Sequence, residues 1–366
     1  MKPQSIERTA IALAATAGLG LVFTAQLAEA RGKTPPSPPA NPDMVYMSLG
    51  STGTATEIRG ATFSLDGRSV TDGSLFQASR NRDHTSVTWS PDGTRFAWIE
   101  GGTIRTASPG QKATVIYNPT NGINLPTVVA QPDSLAWGRG CDSTSSQLVF
   151  AGDKPWGVYS ITITNGIPGS PVELVDFTNN GAGWAFAFSP TGRHLAIVAS
   201  GVLSYGIWLV PMCTADHTPY RVVAGADLGG SIGSFSPASM DWSRHGDRLA
   251  LSVVTGPDRN YPWVDLKIVR LNYSNTGGEL VYSNAGVWTV NLDGLFTAAS
   301  SEHSPQWGPS EPGANCQRIA FSQSSDSGRN LYLLDIGSGP LDDSCNIKAS
   351  APLPISARNP RALDWK

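Results

Sequence analysis

The chain has 366 residues, 40% hydrophobic and only 15% charged, with 39 Gly, 27 Pro and a formal net charge of −3. That balance excludes a basic nucleic-acid-binding surface and a highly charged disordered chain. Its turn formers and aromatics fit an all-β globular protein.

The chain opens with Lys2 and Arg8, then a short apolar stretch over residues 10–27, then Ala28-Glu29-Ala30. This order of charge, apolar run and small-x-small site predicts a secretory signal peptide over 1–30, cleaved after Ala30. The competing reading is an uncleaved membrane anchor, but the stretch is short and glycine-broken for a stable span. Residues 31–42 carry five prolines and read as an extended linker. The folded domain is expected over 43–366, with no membrane insertion after cleavage and a periplasmic or secreted destination.

An aromatic anchor then recurs at Trp89, Trp137, Phe188, Trp242, Trp307 and Trp365, 48 to 65 residues apart. A period of that length means one supersecondary unit repeated around a common core. Three anchors lead into a tight turn: Ser90-Pro91-Asp92-Gly93, Ser189-Pro190-Thr191-Gly192 and Ser243-Arg244-His245-Gly246. Glycine at the fourth place supplies a positive φ. A second apolar strand follows, as in Phe96-Ala97-Trp98, Leu148-Val149-Phe150, Leu195-Ala196-Ile197, Leu249-Ala250-Leu251 and Ile319-Ala320-Phe321. Third strands are expected at 158–164, 206–211, 264–272 and 330–336, each with a polar turn and a weaker fourth strand.

Four strands per unit without helical periodicity predict a six-bladed β-propeller, its aromatics wedged between blades. The last anchor has no strands of its own after it. The segment Asp43-Met44-Val45-Tyr46 matches the second-strand signature, and residues 57–73 match a third strand, turn and fourth strand. The last blade is therefore expected to be closed by N- and C-terminal strands, with 361–365 paired to 44–47. A seventh blade anchored at Phe63 would leave too few residues before Trp89.

The phrase Trp89-Ser90-Pro91-Asp92-Gly93, followed by an apolar-Ala-apolar strand, resembles the repeat of TolB-like β-propellers. The resemblance covers nearly the whole mature chain and implies the fold. TolB itself carries an α/β domain before its propeller, which is not expected here, so a TolB role does not transfer. The family's prolyl oligopeptidase-like enzymes need a hydrolase domain that the reading also does not expect.

No nucleophile elbow, zinc-protease helix, phosphate-binding loop or calcium loop is found, so no catalytic residue is assigned. His194, His217 and His245 fall at turn or strand-start positions and read as structural or surface groups. His84 and His303 differ, because they enter the innermost strands at one channel mouth. Trp184 and Arg361 hold equivalent positions in other blades. These four vary in chemistry where neighbouring positions use small residues such as Ser86, Ser134, Ser239 and Ser304. They are the expected binding residues of a non-catalytic scaffold for a protein or glycan. The enzyme question stays open, since a channel-mouth lyase or hydrolase acting on a polysaccharide, possibly metal-dependent, is the alternative. No cofactor or metal is assigned, two histidines being a thin ligand set. A monomer is expected.

Four cysteines in an exported chain should pair. Cys141 and Cys316 are placed in first-to-second-strand turns, Cys213 and Cys345 in third-to-fourth-strand turns on the same face. Blade positions favour Cys316–Cys345 within one blade and Cys141–Cys213 between neighbours.

Overall fold

In the computed structural model, residues 42–49, 55–63, 70–77, 84–119, 130–153, 156–176, 182–200, 205–229, 239–254, 264–276, 279–290, 301–308, 316–325, 328–337, 348–349 and 360–365 are described. The expected signal peptide, nearly all of the linker and Cys345 lie outside them.

The described strands form six four-stranded antiparallel sheets. One holds β1 (Met44–Leu49), β2 (Ala55–Phe63) and β3 (Val70–Gln77). Blade 1 holds β4 (His84–Trp89), β5 (Phe96–Glu100), β6 (Thr103–Ala107) and β7 (Thr114–Tyr117). Blade 2 holds β8 (Ala130–Arg139), β9 (Ser145–Asp153), β10 (Trp156–Thr164) and β11 (Ile167–Asp176). Blade 3 holds β12 (Ala182–Phe188), β13 (His194–Ser200), β14 (Gly206–Pro211) and β15 (Tyr220–Ala224), and is followed by the one-turn helix α1 (Gly225–Leu228). Blade 4 holds β16 (Met240–Trp242), β17 (Arg248–Val254), β18 (Val264–Thr276) and β19 (Glu279–Thr289). Blade 5 holds β20 (Ser301–Trp307), β21 (Cys316–Ser325), β22 (Gly328–Gly337) and β23 (Lys348–Ala349). The final strand, β24 (Pro360–Trp365), pairs with β1 in the register Met44 to Trp365 and Met47 to Arg361, so blade 6 runs β24-β1-β2-β3.

This is an all-β, six-bladed propeller. Alternation along each second strand assembles it, because successive side chains leave a strand on opposite faces. Phe96 and Trp98 pack toward blade 6 with Met47 and Ile58, while Ala97 and Ile99 pack toward blade 2 with Trp137 and Phe150. Leu195 and Ile197 serve the seam with blade 2; Ala196 and Val198 serve the seam with blade 4. Separate apolar clusters fill the seams between blades 4 and 5 and between 5 and 6. The anchors Trp89, Trp137, Trp242 and Trp307 are buried at these seams. Packing is close between blades 2 and 3, where a Cβ on Gly138 would meet the Phe188 ring.

The repeated turn forms as its sequence dictates. Gly93, Gly192 and Gly246 have φ of 65°, 71° and 74°, and each donates its N–H to the carbonyl of the serine three residues earlier. The hydroxyls of those serines, Ser90, Ser189 and Ser243, also accept from the backbone N–H two residues after the turn glycine, at 3.0–3.1 Å.

Cys141 and Cys213 form a disulfide with a Cα separation of 5.2 Å, joining a turn of blade 2 to a turn of blade 3. Cys316 is not in a turn: it is the first residue of β21, opposite Gly337, so the expected turn closes before it. Its pairing with Cys345 lies outside the described residues. No helix among the described residues is long and apolar enough to cross a membrane.

Candidate functional site

The strands β4, β8, β12, β16, β20 and β24 touch one another in ring order and so line the axis. Among the described residues their inner edge has no partner strand, and its backbone groups must find other partners or water.

The four candidate binding residues all sit near the entry ends of these strands. His84 begins β4 opposite Glu100, His303 lies in β20 opposite Ser322, and Arg361 lies in β24 opposite Met47. Trp184 lies in β12 between Gly183, opposite Ala199, and Ala185, opposite Val198. It is therefore the extra residue of a β-bulge. The side chains of all four lie outside the described residues, so their backbones share one mouth and their contacts are not described.

Bulges recur at this level. The register shifts between Thr85 and Val87 in β4, between Ala130 and Leu135 in β8, between His303 and Gln306 in β20, and between β1 and β24 beside Arg361. A bulge leaves a residue unpaired, bends the strand and re-aims its side chain. In blade 1 the extra residue is Ser86, with a φ of 51° and a buried hydroxyl that has no hydrogen-bond partner among the described residues. Ser134 holds the comparable place in blade 2, and there its Oγ accepts the Ala151 N–H at 3.3 Å. The same mouth carries Glu100, buried and paired to Arg105 Nε at 2.7 Å.

The opposite end of the channel holds a feature that sequence reading missed. Asp241 immediately precedes the blade 4 anchor, and Asp364 the blade 6 anchor. Asp241 Oδ1 accepts the Trp242 N–H at 2.8 Å, and Oδ2 crosses the seam to accept the Trp307 N–H at 2.7 Å. Asp364 Oδ2 accepts the Trp89 N–H of blade 1 in the same manner. Each carboxylate thus accepts from a backbone N–H on the inner edge of the next blade. Burial and, next, the charge of Asp364 push the Asp241 carboxyl up to about 7, against the lowering pull of the two N–H groups and Arg244. The sequence signal was there: Asp precedes the anchor in these two repeats, where others place Thr88, Ala136, Ala187 or Gln306.

Among the described residues, no three His, Cys, Asp or Glu side chains come together as a metal site.

No family model matches the sequence, and no curated protein matches it. Among solved structures, the chain is similar to one described as "putative TolB" from Agrobacterium tumefaciens. That likeness has 12% identity and a TM-score of 0.48 over 78% of this chain and 86% of that one. It is also similar to a puromycin-hydrolyzing peptidase of Mycobacterium tuberculosis, at 16% identity and a TM-score of 0.48, over 74% of this chain but 38% of that one. A gluconolactonase of Xanthomonas campestris aligns at 13% identity and a TM-score of 0.38, over 76% of this chain and 84% of that one. What is shared is the propeller fold.

Proposed function

We propose that this chain is an exported, non-catalytic binding scaffold that recognises a protein or glycan at the mouth where the inner strands begin. The bulged entry of those strands carries the reading. The seams of each blade are filled by packing side chains, but at this level β12 devotes an unpaired residue to Trp184. His84, His303 and Arg361 stand near the comparable level on other strands. Three different side-chain types at four related positions of a near-symmetric ring make an asymmetric surface, and recognition needs one. Trp and Arg are the side chains that most often anchor interfaces. Loops and strand ends on a rigid scaffold are where proteins place recognition. The Cys141–Cys213 bridge supports an oxidising compartment.

One observation favours a second reading, a hydrolase or lyase acting on a polysaccharide. Asp241 and Asp364 are two interacting carboxyls in the channel, and glycoside chemistry uses such pairs. Against it, three of their oxygens already accept backbone N–H groups. Assays of the purified chain against glycan arrays, exported proteins and a polysaccharide panel separate the two. Saturable binding without turnover supports the scaffold; turnover that vanishes in Asp241→Asn supports the enzyme.

A further inference from the structure

His194 opens β13 and faces blade 4, on the same side of the strand as Ala196 and Val198 in that seam. Its ring is edge-on to Tyr282 at 5.1 Å and to Tyr220 at 6.3 Å, and the residue is 2% exposed. Among the described residues, neither Nδ1 nor Nε2 has a hydrogen-bond partner. A neutral imidazole so placed leaves one donor and one acceptor unmade. An imidazolium would leave two donors and a net charge unmade, a far larger penalty in an apolar seam.

The groups around it offer no relief. Arg193, its neighbour in sequence, adds a like charge. From β15 comes Tyr220, whose hydroxyl accepts the Tyr282 N–H at 3.4 Å. From β19 comes Tyr282, which also packs on Trp242 and on Tyr273 of β18. Behind His194 in β14 is Pro211, its register partner, whose carbonyl bonds His217 Nδ1 at 2.7 Å. On the blade 4 side, the turn that brings Gly246 near Pro190 also carries Arg244, His245 and Asp247. The Asp247 carboxylate accepts from Ser243 Oγ at 3.0 Å and lies 3.6 Å from Arg248 Nε. Among the described residues, Arg193 is the charge that lowers the imidazole pKa, after burial.

We propose that His194 is an acid-operated latch on the seam between blades 3 and 4: its protonation opens this seam locally and exposes the Tyr220, Trp242 and Tyr282 faces. The latch lies at the turn end of the blades, away from the proposed binding mouth, and does not depend on that function. Burial, and after it the charge of Arg193, hold the imidazole down to about 4, against 6.5 for the free group. A lowered pKa fixes the sign. The seam's protection is complete above about pH 6.5 and is lost as pH falls toward 4.

Hydrogen exchange of the full chain, corrected for intrinsic rates, tests this between pH 7.5 and 4. At pH 4.5 peptides from β13, β15 and β19 should open roughly fifty- to a hundred-fold more than at pH 7.5. Peptides from β5 and β9 should hold. His194→Phe should keep the seam closed at pH 4.5, and His194→Gln serves if the larger ring prevents folding. The proposal is overturned if wild-type protection of this seam persists to pH 4. It is equally overturned if all seams open together, or if the folded variant opens over the same pH range as wild type.

Discussion

Asp241 holds the backbone of Trp307 in the next blade: its Oδ2 accepts the Trp307 N–H at 2.7 Å across the seam between blades 4 and 5. Inner-edge strands of a propeller have no neighbour on the channel side, so a side chain from the preceding blade can satisfy the donor. Asp364 repeats the device toward Trp89. Replacing Asp241 by Ala leaves the Trp242 and Trp307 N–H groups without this acceptor. The expected cost is about 1–3 kcal/mol at pH 5, measured by denaturant titration.

The same carboxyl gives a pH dependence. Its folded pKa is raised to about 7 by burial and by the Asp364 charge, well above the unfolded value of 3.8. An acid raised in this way contributes stability that is full below about pH 4 and is lost as pH rises through about 7. The loss of melting temperature between pH 5 and 8 should therefore be smaller in Asp241→Asn than in wild type. A variant with the wild-type slope would assign that loss to other groups. His194 acts with the opposite sign over an overlapping range, so the two variants separate the effects.

Cys141 and Cys213 close a loop with a sequence separation of 72. Opening that link with Cys141→Ser and Cys213→Ser together should lower stability by about 2–4 kcal/mol. The comparison is denaturant midpoints of oxidised wild type and the double variant. Equal midpoints would show that the inter-blade packing at Gly138 and Phe188 makes the bridge redundant.

Trp98 is fully buried in the seam between blades 6 and 1, 4.7 Å from the Phe76 ring and 5.5 Å from Phe96. Trp98→Ala should cost about 3–5 kcal/mol, as large cavities in packed cores do. Denaturant midpoints of wild type and the variant check this, and equal midpoints would contradict it.

The fold was legible because its determinants are local and repeated. The Ser-Pro-x-Gly turn at Gly93 fixes its own φ, and Phe96-Ala97-Trp98 announces a strand packed on both faces. Strand limits were less so: β18 and β19 run on to Thr276 and back from Glu279, with Tyr273 opposite Tyr282, because where a hairpin ends depends on both strands. The bulges could not be read, since register depends on two strands and the sequence presents one at a time. That hid Trp184 as an unpaired residue. The coupling of Asp241 to Asp364 was hidden for the same reason, 123 positions separating two groups that only the ring brings together. His194 was placed correctly at a strand start, but its burial depends on Tyr220 and Tyr282 arriving from other strands.

The most direct test of the binding account compares affinities of two variants for whichever exported protein or glycan the wild type captures. One is the mouth variant His84→Ala, His303→Ala, Arg361→Ala; the other carries Asp142→Ala and Asp216→Ala on the disulfide face, both with fold checked by circular dichroism. The account predicts at least a tenfold loss in the first, about 1.4 kcal/mol, and wild-type affinity in the second. Undiminished binding by the mouth variant, or turnover of a polysaccharide by the wild type, would contradict it.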